Sequence, residues 1–506
     1  YVERVRANVK RQALYCDMLG SARWVGELAQ RYPAREITPL TPWFANISIH
    51  DVEITGCSTL VDVSALPEKP VKNFFFGNVK AHCDRIGKIC DATKFSMKDV
   101  RIESCDTVMR IDNCDYASFF GFSNVTTGSS VKIEKTGGEC RYLNVQTYPL
   151  VPVNYQSIRP GEVWLDTEGK PIQAHGFQAT FREGKYYWYG EDKTHTLFGT
   201  NRMFGGVRCY SSTDFYNWKD EGRIIEPATD PHSPLHHCQK LERPHILYCA
   251  KTGRYVCWLK SQSNDGHFVI LEAEHFMGPY HFVRNLKPNG FAVGDFDMYA
   301  DPDTGKGYVW FERPHWEQIC AELSDDYTNV NGRYSEHFVG KVPPFTREAA
   351  AHFVMDGKHY IYTSGTTSYT PNPSEVAVFD DYHGEYTVLG NPHIGDEYAH
   401  SFCSQITSVI KIPGKDLYVA MADRWLPHTN KTDIPKKDWQ SFLTRYKDHR
   451  PYPKDFATPN VADRFYTLVN PNQDVYKATY VFLPIVVKDG IPMIEWKDEW
   501  KLENYE

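Results

Sequence analysis

The stretch EGKYYWYGE, residues 183–191, places a glycine-containing turn in front of an aromatic, apolar strand, and it decides the fold because it recurs. TGRYVCWLK at 252–260, TGKGYVWFE at 304–312, DGKHYIYTSG at 356–365 and PGKDLYVAMADRW at 413–425 repeat it. The reference tyrosines Tyr187, Tyr255, Tyr308, Tyr360 and Tyr418 follow at intervals of 68, 53, 52 and 58 residues. A Gly turn between β-branched and aromatic runs is a hairpin signal, and near-copies at a steady interval signal repeated sheets. The spacing predicts an all-β, five-bladed propeller, with four strands per blade around a central channel. A β-sandwich gives no reason for five near-copies of one hairpin. Residues His428–Asp474, rich in Lys, Asp and Pro, interrupt the fifth unit and read as a long surface loop at the channel rim.

Upstream the pattern changes. Asp51-Val52, Asn78-Val79, Asp99-Val100 and Asn124-Val125 sit in alternating apolar runs, their valines 27, 21 and 25 residues apart. Strand-and-turn units of this length predict rungs of a short, right-handed parallel β-helix with Asn or Asp at the corners. Cys57, Cys83 and Cys105 follow three of these valines closely and are expected to stack inside it. Residues 2–32 carry Val5, Val9, Ala13 and Leu14 at helix-like spacing and predict a preceding helix. The Pro-punctuated YPLVPVNYQSIRP, residues 148–160, reads as a linker, dividing the chain into a β-helix at 1–150 and a propeller at 151–506.

Composition narrows the function. With 506 residues and 41% hydrophobic content the chain can bury two cores. Its net charge of −8, without a long Lys/Arg run, argues against a nucleic-acid or anionic-membrane partner. No apolar run approaches the ~18 residues that span a bilayer. Thirteen Cys scattered without C-x-x-C spacing predict free, mostly buried thiols, with no zinc site. Thirty-two Tyr, 28 Phe and 12 Trp serve strand packing first, and their flat faces also suit the C–H faces of sugars.

A propeller brings the innermost strand of every blade to one axis, so chemistry is expected shortly before each aromatic hairpin. Glu242, Asp297, Glu348 and Gln405 precede Tyr255, Tyr308, Tyr360 and Tyr418 by 13, 11, 12 and 13 residues, which predicts one height around the channel. Blade one offers His175 and, at the end of its hairpin, Glu191. Glycosidic hydrolysis needs two carboxyl groups across the bond, and a third can raise the acid's pKa.

On the segments LDTEGKPIQAHG, YYWYGE, YSSTDFYNWKDEGRII, LERPHILY, FDMYADPDTGKGYVWF, REAAAHF, SQITSV and ADRW, spread over all five blades, the chain resembles glycoside hydrolase family 43. It is closest to the exo-β-1,3-galactanase and β-galactosidase branch. The resemblance implies an inverting hydrolase with Glu348 as general acid and Asp297 as the modulator of its pKa. The family's usual blade-one Asp is missing, since Ala174-His175-Gly176 stands there. The galactanase-like branch shares that vacancy and is thought to direct the water with a blade-five Gln, here Gln405. A neutral amide is a very weak base, so two readings stay open: Gln405 orients the water, or it holds the sugar while Glu242 or Glu191 takes the proton.

Glu191, His175, Trp425 and Tyr369 are candidate sugar contacts, with packing as the competing use of the two aromatics. Phe177 and Gln178, larger than the residues usual after AHG, are expected to reshape the pocket. The turn Asp301–Gly305 has calcium-like composition but such turns join hairpins routinely; no metal and no cofactor is expected.

The substrate expected from the resemblance is an oligo- or polysaccharide, β-1,3-galactan side chains of plant polymers first. An α-L-arabinofuranosidase or β-xylosidase of the same family, or a non-catalytic glycan-binding propeller, remain alternatives. The β-helix half resembles the later coils of family 28 polygalacturonases but lacks that family's Asp-Asp pair, which suggests a structural or glycan-docking part. A plant-polymer substrate goes with a secreted, periplasmic or cell-surface protein. The chain opens at Tyr1 without Met and reads as trimmed, so its lack of a leader has no bearing on export.

Overall fold

The computed structural model describes residues 2–141, 143–146, 153–194, 196, 203–262, 266–341, 343, 345–367, 369, 371–397, 399–425 and 475–506. The insertion expected at 428–474 lies outside the described residues. The chain divides into two compact units, residues 1–152 with 168–170, and residues 153–167 with 171–506. Among the described residues no helix is long and apolar enough to cross a membrane.

The first unit is a parallel β-solenoid. Its strands pair in register rung upon rung: Ile47 faces Phe74, Val52 faces Val79, and Cys57 faces Cys83, with Ile89 opposite Ile111 and Val100 opposite Phe122. Inward side chains pack on their copies one rung away, as in the stacked rings of Phe74 and Phe95 with centroids 4.9 Å apart. The corners need a left-handed residue, and Asn and Asp take it at low cost. Asp51 and Asn78 adopt φ of 56° and 46°, and Asn46 and Asn73 adopt 58° and 53°. The side chains form ladders along the axis: Asn78 Nδ2 donates to Asp51 Oδ1 at 2.5 Å, and Asn73 Nδ2 donates to Asn46 Oδ1 at 2.8 Å.

Three expectations fail here. Residues 2–17 form no helix: Val2–Asn8 and Gln12–Asp17 are strands paired in parallel with Ala45–Ser64. The reason is arithmetic: a spacing of four is even, so Val5, Val9 and Ala13 satisfy a two-residue period as well as a helical one, and Ala7 packs on the same side. Asn124 is no corner; it is buried, and its amide donates to the carbonyls of Ser104 and Asp106, both at 2.9 Å. Cys105 is exposed, whereas Cys57 and Cys83 are buried, and no cysteine among the described residues forms a disulfide.

The second unit is the five-bladed propeller. Blades one to four are antiparallel sheets spanning His175–Ile225, Leu241–Leu286, Phe296–His337 and Arg347–Gly390. Blade five is built from Gln405–Lys411, Tyr418–Arg424, Thr479–Lys488 and Ile491–Glu495, with His393–Ile394 added in parallel at its outer edge. The aromatic hairpin strands supply the core, and Trp188, Trp258, Trp310 and Tyr362 on the second strands of the first four blades are fully buried. Phe177 belongs to this core, its ring 5.3 Å from Trp188 and 5.7 Å from Tyr480, so it joins blade one to blade five and does not reshape a pocket.

The innermost strands share one local device. In His175–Arg182, Leu241–Cys249 and Arg347–Met355 the pairing register slips by one residue just after His175, Glu242 and Glu348. The next residue in each case, Gly176, Arg243 or Ala349, is left-handed at φ 53°, 52° and 50°. A bulge of this kind turns the neighbouring side chain out of the sheet. At Gly176 only glycine fits, because a Cβ there would lie 2.3 Å from Glu191 Oε1.

Candidate active site

At the axis, side chains from all five blades, with Glu348 and Tyr369 from the fourth, line a cavity of about 110 Å³. Glu191, Glu242, Asp295 and Glu348 face it together with Lys193, Lys240, Arg243 and Lys260, and Gln405, Tyr369 and Trp425 close it. Four cations against four carboxyl groups would be costly to bury singly and are tolerable as a paired network. Lys260 Nζ reaches Glu242 Oε2 and Asp295 Oδ1, both at 2.7 Å. Lys193 Nζ lies 2.5 Å from Glu191 Oε2. Arg243 is the hub: its Nη2 lies 2.8 Å from Asp295 Oδ2 and 2.9 Å from Gln405 Oε1, and its backbone N–H donates to Glu191 Oε1 at 3.1 Å.

This network sets different protonation for neighbouring carboxyl groups. Burial, then the nearby Asp295 and Glu312 carboxyl groups, push Glu348 well above the ordinary carboxylate range, against the opposing pull of Lys260 and Arg243. Burial would also raise Glu242, but Lys260, Lys240 and Lys193 outweigh it and hold Glu242 below the usual range. Asp295 is likewise lowered, because Arg243 and Lys260 overcome its burial. Glu191 is raised by burial in spite of Lys193. Raised and lowered carboxyl groups side by side are the division of labour that acid–base hydrolysis requires.

Gln405 has a fixed orientation. Arg243 Nη2 and Trp425 Nε1 can only donate, so the amide oxygen must face them, at 2.9 and 3.2 Å. Its nitrogen then donates to Glu348 Oε1 at 3.3 Å and to Ser364 Oγ at 2.9 Å. Both hydrogens and both acceptor directions of this amide are in use. Tyr369 packs edge-on against Trp425 with centroids 5.3 Å apart, and both line the cavity.

Two sequence-predicted residues lie elsewhere. Asp297 does not line the cavity. Its Oδ2 accepts the His352 backbone N–H at 2.6 Å, and its Oδ1 lies 3.0 Å from His245 Nε2 and 2.8 Å from the Met298 nitrogen. Asp295 takes the place beside Glu348 that the spacing predicted for Asp297. The offset contained the signal: Asp295 precedes Tyr308 by 13 residues, matching Glu242 and Gln405 better than Asp297 does at 11. His175 is 0% exposed, held between Asp423 Oδ1 at 2.9 Å and the Tyr480 hydroxyl at 3.3 Å, so it is a structural residue and no sugar contact. Directly opposite it across the hairpin stands Glu191, which supplies the blade-one carboxylate to the cavity.

The cationic half of the cavity was missed. Lys260 pairs in register with Glu242, so counting across the second hairpin could have found it. Gln178 joins the layer under the cavity, with Nε2 2.7 Å from His245 Nε2 and donating to the Thr407 carbonyl at 3.1 Å. Among the described residues of the propeller, His236, His237 and Cys238 bring metal-ligating atoms within 4.8 Å of one another, and none lines the cavity. Asp301 serves its turn: Oδ1 accepts the Asp303 and Thr304 N–H groups at 2.9 Å, and Oδ2 accepts the Tyr382 hydroxyl at 2.6 Å.

Five blades thus bring carboxyl groups with raised and lowered pKa values to one axial cavity. Residues 178–409 match the family model described as Glycosyl hydrolases family 43, and the propeller is a domain of that family. A solved family 43 β-1,3-galactosidase is 27% identical, with a TM-score of 0.56 over 70% of this chain and 65% of its own. A second, solved with galactodeoxynojirimycin, is 27% identical with a TM-score of 0.55, covering 68% of this chain and all of its own, 100%. An exo-β-1,3-galactanase from Clostridium thermocellum is 25% identical with a TM-score of 0.52, over 68% of this chain and 66% of its own. The chain thus spans less than two thirds of the first of these, at 65%. No curated protein sequence matches it.

Proposed function

We propose that the propeller is an inverting, exo-acting glycoside hydrolase that releases galactose from β-1,3-linked galactan side chains of plant polysaccharides. The observation that carries the reading is Glu348: a half-buried acid in the cavity wall, its pKa raised by desolvation and by Asp295, and hydrogen-bonded to Gln405. Because Gln405 donates to Oε1, the carboxyl proton sits on Oε2, where it can pass to a glycosidic oxygen. As that bond breaks, water attacks the anomeric carbon from the opposite face and loses its proton to a carboxylate across the cavity. Gln405, with every position engaged, holds Glu348 in place and is no proton acceptor. Of the remaining carboxyl groups, Glu191 is raised and Glu242 lowered, so Glu191 is the stronger base when ionised.

The cavity, about 110 Å³, has no room for a run of sugar units, which supports exo action. The names of the similar structures support galactose and the 1,3 linkage. A polymeric plant substrate further supports a place outside the cytoplasm, at the cell surface, in the periplasm or after secretion.

The test is galactose release from β-1,3-galactan by the full chain and by Glu348→Ala, with the product anomer followed by NMR. The wild type should release α-galactose first, and Glu348→Ala should lose about 10²–10⁴-fold in kcat/KM on an unactivated leaving group. Undiminished turnover by the variant, or release from aryl arabinofuranosides or xylosides alone, would overturn the reading.

A further inference from the structure

The segment that enters blade two carries side chains for which hydrolysis has no use. Residues 226–240 run from the last strand of blade one to Leu241 through successive tight turns. The Ser233 N–H donates to the Asp230 carbonyl at 3.0 Å, the His236 N–H to the Ser233 carbonyl at 3.1 Å, and the Gln239 N–H to the His236 carbonyl at 2.8 Å. The segment is also pinned to its surroundings. The Met203 and Phe204 N–H groups both donate to the His237 carbonyl at 2.9 Å, and the Ala228 N–H donates to the Leu235 carbonyl at 2.8 Å.

In an extended strand, consecutive side chains point to opposite faces. The turns undo that alternation for His236, His237 and Cys238, and bring one ligating atom of each within 4.8 Å of the others. The two imidazole centroids are 3.9 Å apart. The Cys238 backbone N–H donates to His236 Nδ1 at 3.4 Å, so that nitrogen carries a lone pair turned toward Cys238. Both histidines are partly exposed and Cys238 is exposed, so a hydrated ion can reach all three without opening the fold.

Two imidazoles and a thiol form a nitrogen–sulfur donor set that suits zinc, whereas magnesium and calcium take oxygen ligands. Against the expectation from cysteine spacing, we infer that His236, His237 and Cys238 bind one Zn²⁺ ion, with the fourth position of its tetrahedron left to solvent. The Cys238 sulfur exchanges its proton for the metal, and the proton passes to water. None of the three lines the cavity, so the site stands or falls apart from the role of Glu348. Its link to the cavity runs along the chain. Lys240, two residues after Cys238, lies in the cavity wall 3.4 Å from Glu242, and an ion bound here fastens the segment that delivers it.

Titration of the untagged, metal-free full chain with Co²⁺, a spectroscopic stand-in for zinc, tests the assignment. One equivalent should give a thiolate-to-cobalt absorption in the near ultraviolet, and one equivalent of Zn²⁺ should abolish it. Cys238→Ser should remove the band. Losing a partner that only orients a metal ligand costs about 10–100-fold in affinity, so losing the ligand itself should weaken Zn²⁺ by at least about 100-fold. Replacing His236 and His237 together by Gln should weaken it as much. Cys105→Ser, which removes the other exposed thiol, should change nothing. Cys238 is exposed, so without metal its Ser variant should melt with the wild type. The absence of a band, a band that survives Cys238→Ser, or one lost with Cys105→Ser would overturn the inference. Undiminished Zn²⁺ affinity in the double histidine variant would overturn it too, by leaving Cys238 to act alone.

Discussion

Asp295 and Asp297 stand two residues apart in blade three, both buried, and they belong to different tiers of the propeller axis. Asp295 faces the cavity among Arg243, Lys260 and Glu348. Asp297 lies outside it, gripped by His245 and by the backbone of blade four. The same division runs through the other blades. The cavity tier is Glu191, Glu242 and Glu348, answered by lysine and arginine. The tier outside the cavity is His175 with Asp423, and His245 and the His352 backbone with Asp297. Its hydrogen bonds close within the protein and leave nothing for a ligand, whereas the cavity tier keeps charged groups facing open space. Burial alone therefore does not place a carboxylate in the cavity tier; its partners do.

The two tiers should respond differently when a carboxylate is removed, most strongly in the tier outside the cavity. Asp297→Ala strands the His352 amide and takes the carboxylate from beside the His245 ring, and deleting one member of a buried pair costs about 3–5 kcal/mol. Chemical denaturation should show that loss, and a stable Asp297→Ala protein with impaired catalysis alone would place Asp297 in the cavity tier after all. Next in size, Glu191→Gln should lower kcat/KM by about 10²-fold or more while the chain still unfolds cooperatively. The acid limb of its pH profile should flatten, because the group whose protonation stops the wild type as pH falls has gone. A retained acid limb would return the proton to Glu242.

The smallest effect is the most specific. Glu348 must be protonated to act, so activity is lost as pH rises through its raised pKa. Asp295→Asn removes a like charge that helps hold Glu348 up and frees Arg243 and Lys260 to pull it down. Both changes act in one direction, and the alkaline limb should move to lower pH. Burial, the largest cause, is untouched, so Glu348 should stay above an ordinary carboxylate. An unmoved limb would show that Asp295 does not govern the acid.

The propeller is legible from the chain alone because its cause is local: each Gly turn and aromatic strand encodes its own hairpin, and five copies leave little choice of architecture. The solenoid is legible for the same reason at Asp51 and Asn78, where a left-handed corner selects the residue type. At residues 2–17 an even spacing fits two periods, and there the helix expected from it gives way to strands that only the parallel partner Ala45–Ser64 selects. Within the site, Glu242, Glu348 and Gln405 can be placed by counting back from their tyrosines. The count holds because three of the strands carry the same one-residue slip, and it fails in blade three, whose pairing is regular from Phe296 to Ala300.

Strand period and turn chemistry act over a few residues, so the order of amino acids was enough to establish which blades exist and which polar residues approach the axis. Which of those residues meet was settled by packing between blades. Glu191 replaces the missing blade-one carboxylate because Gly176 leaves room above it, and Arg243 gathers three other blades because its bulge turns it inward. The protonation of Glu348 is set by groups from blades two and three that are distant along the chain. Electrostatic energy depends on separation in space and on exclusion of water, and neither quantity is written in residue order.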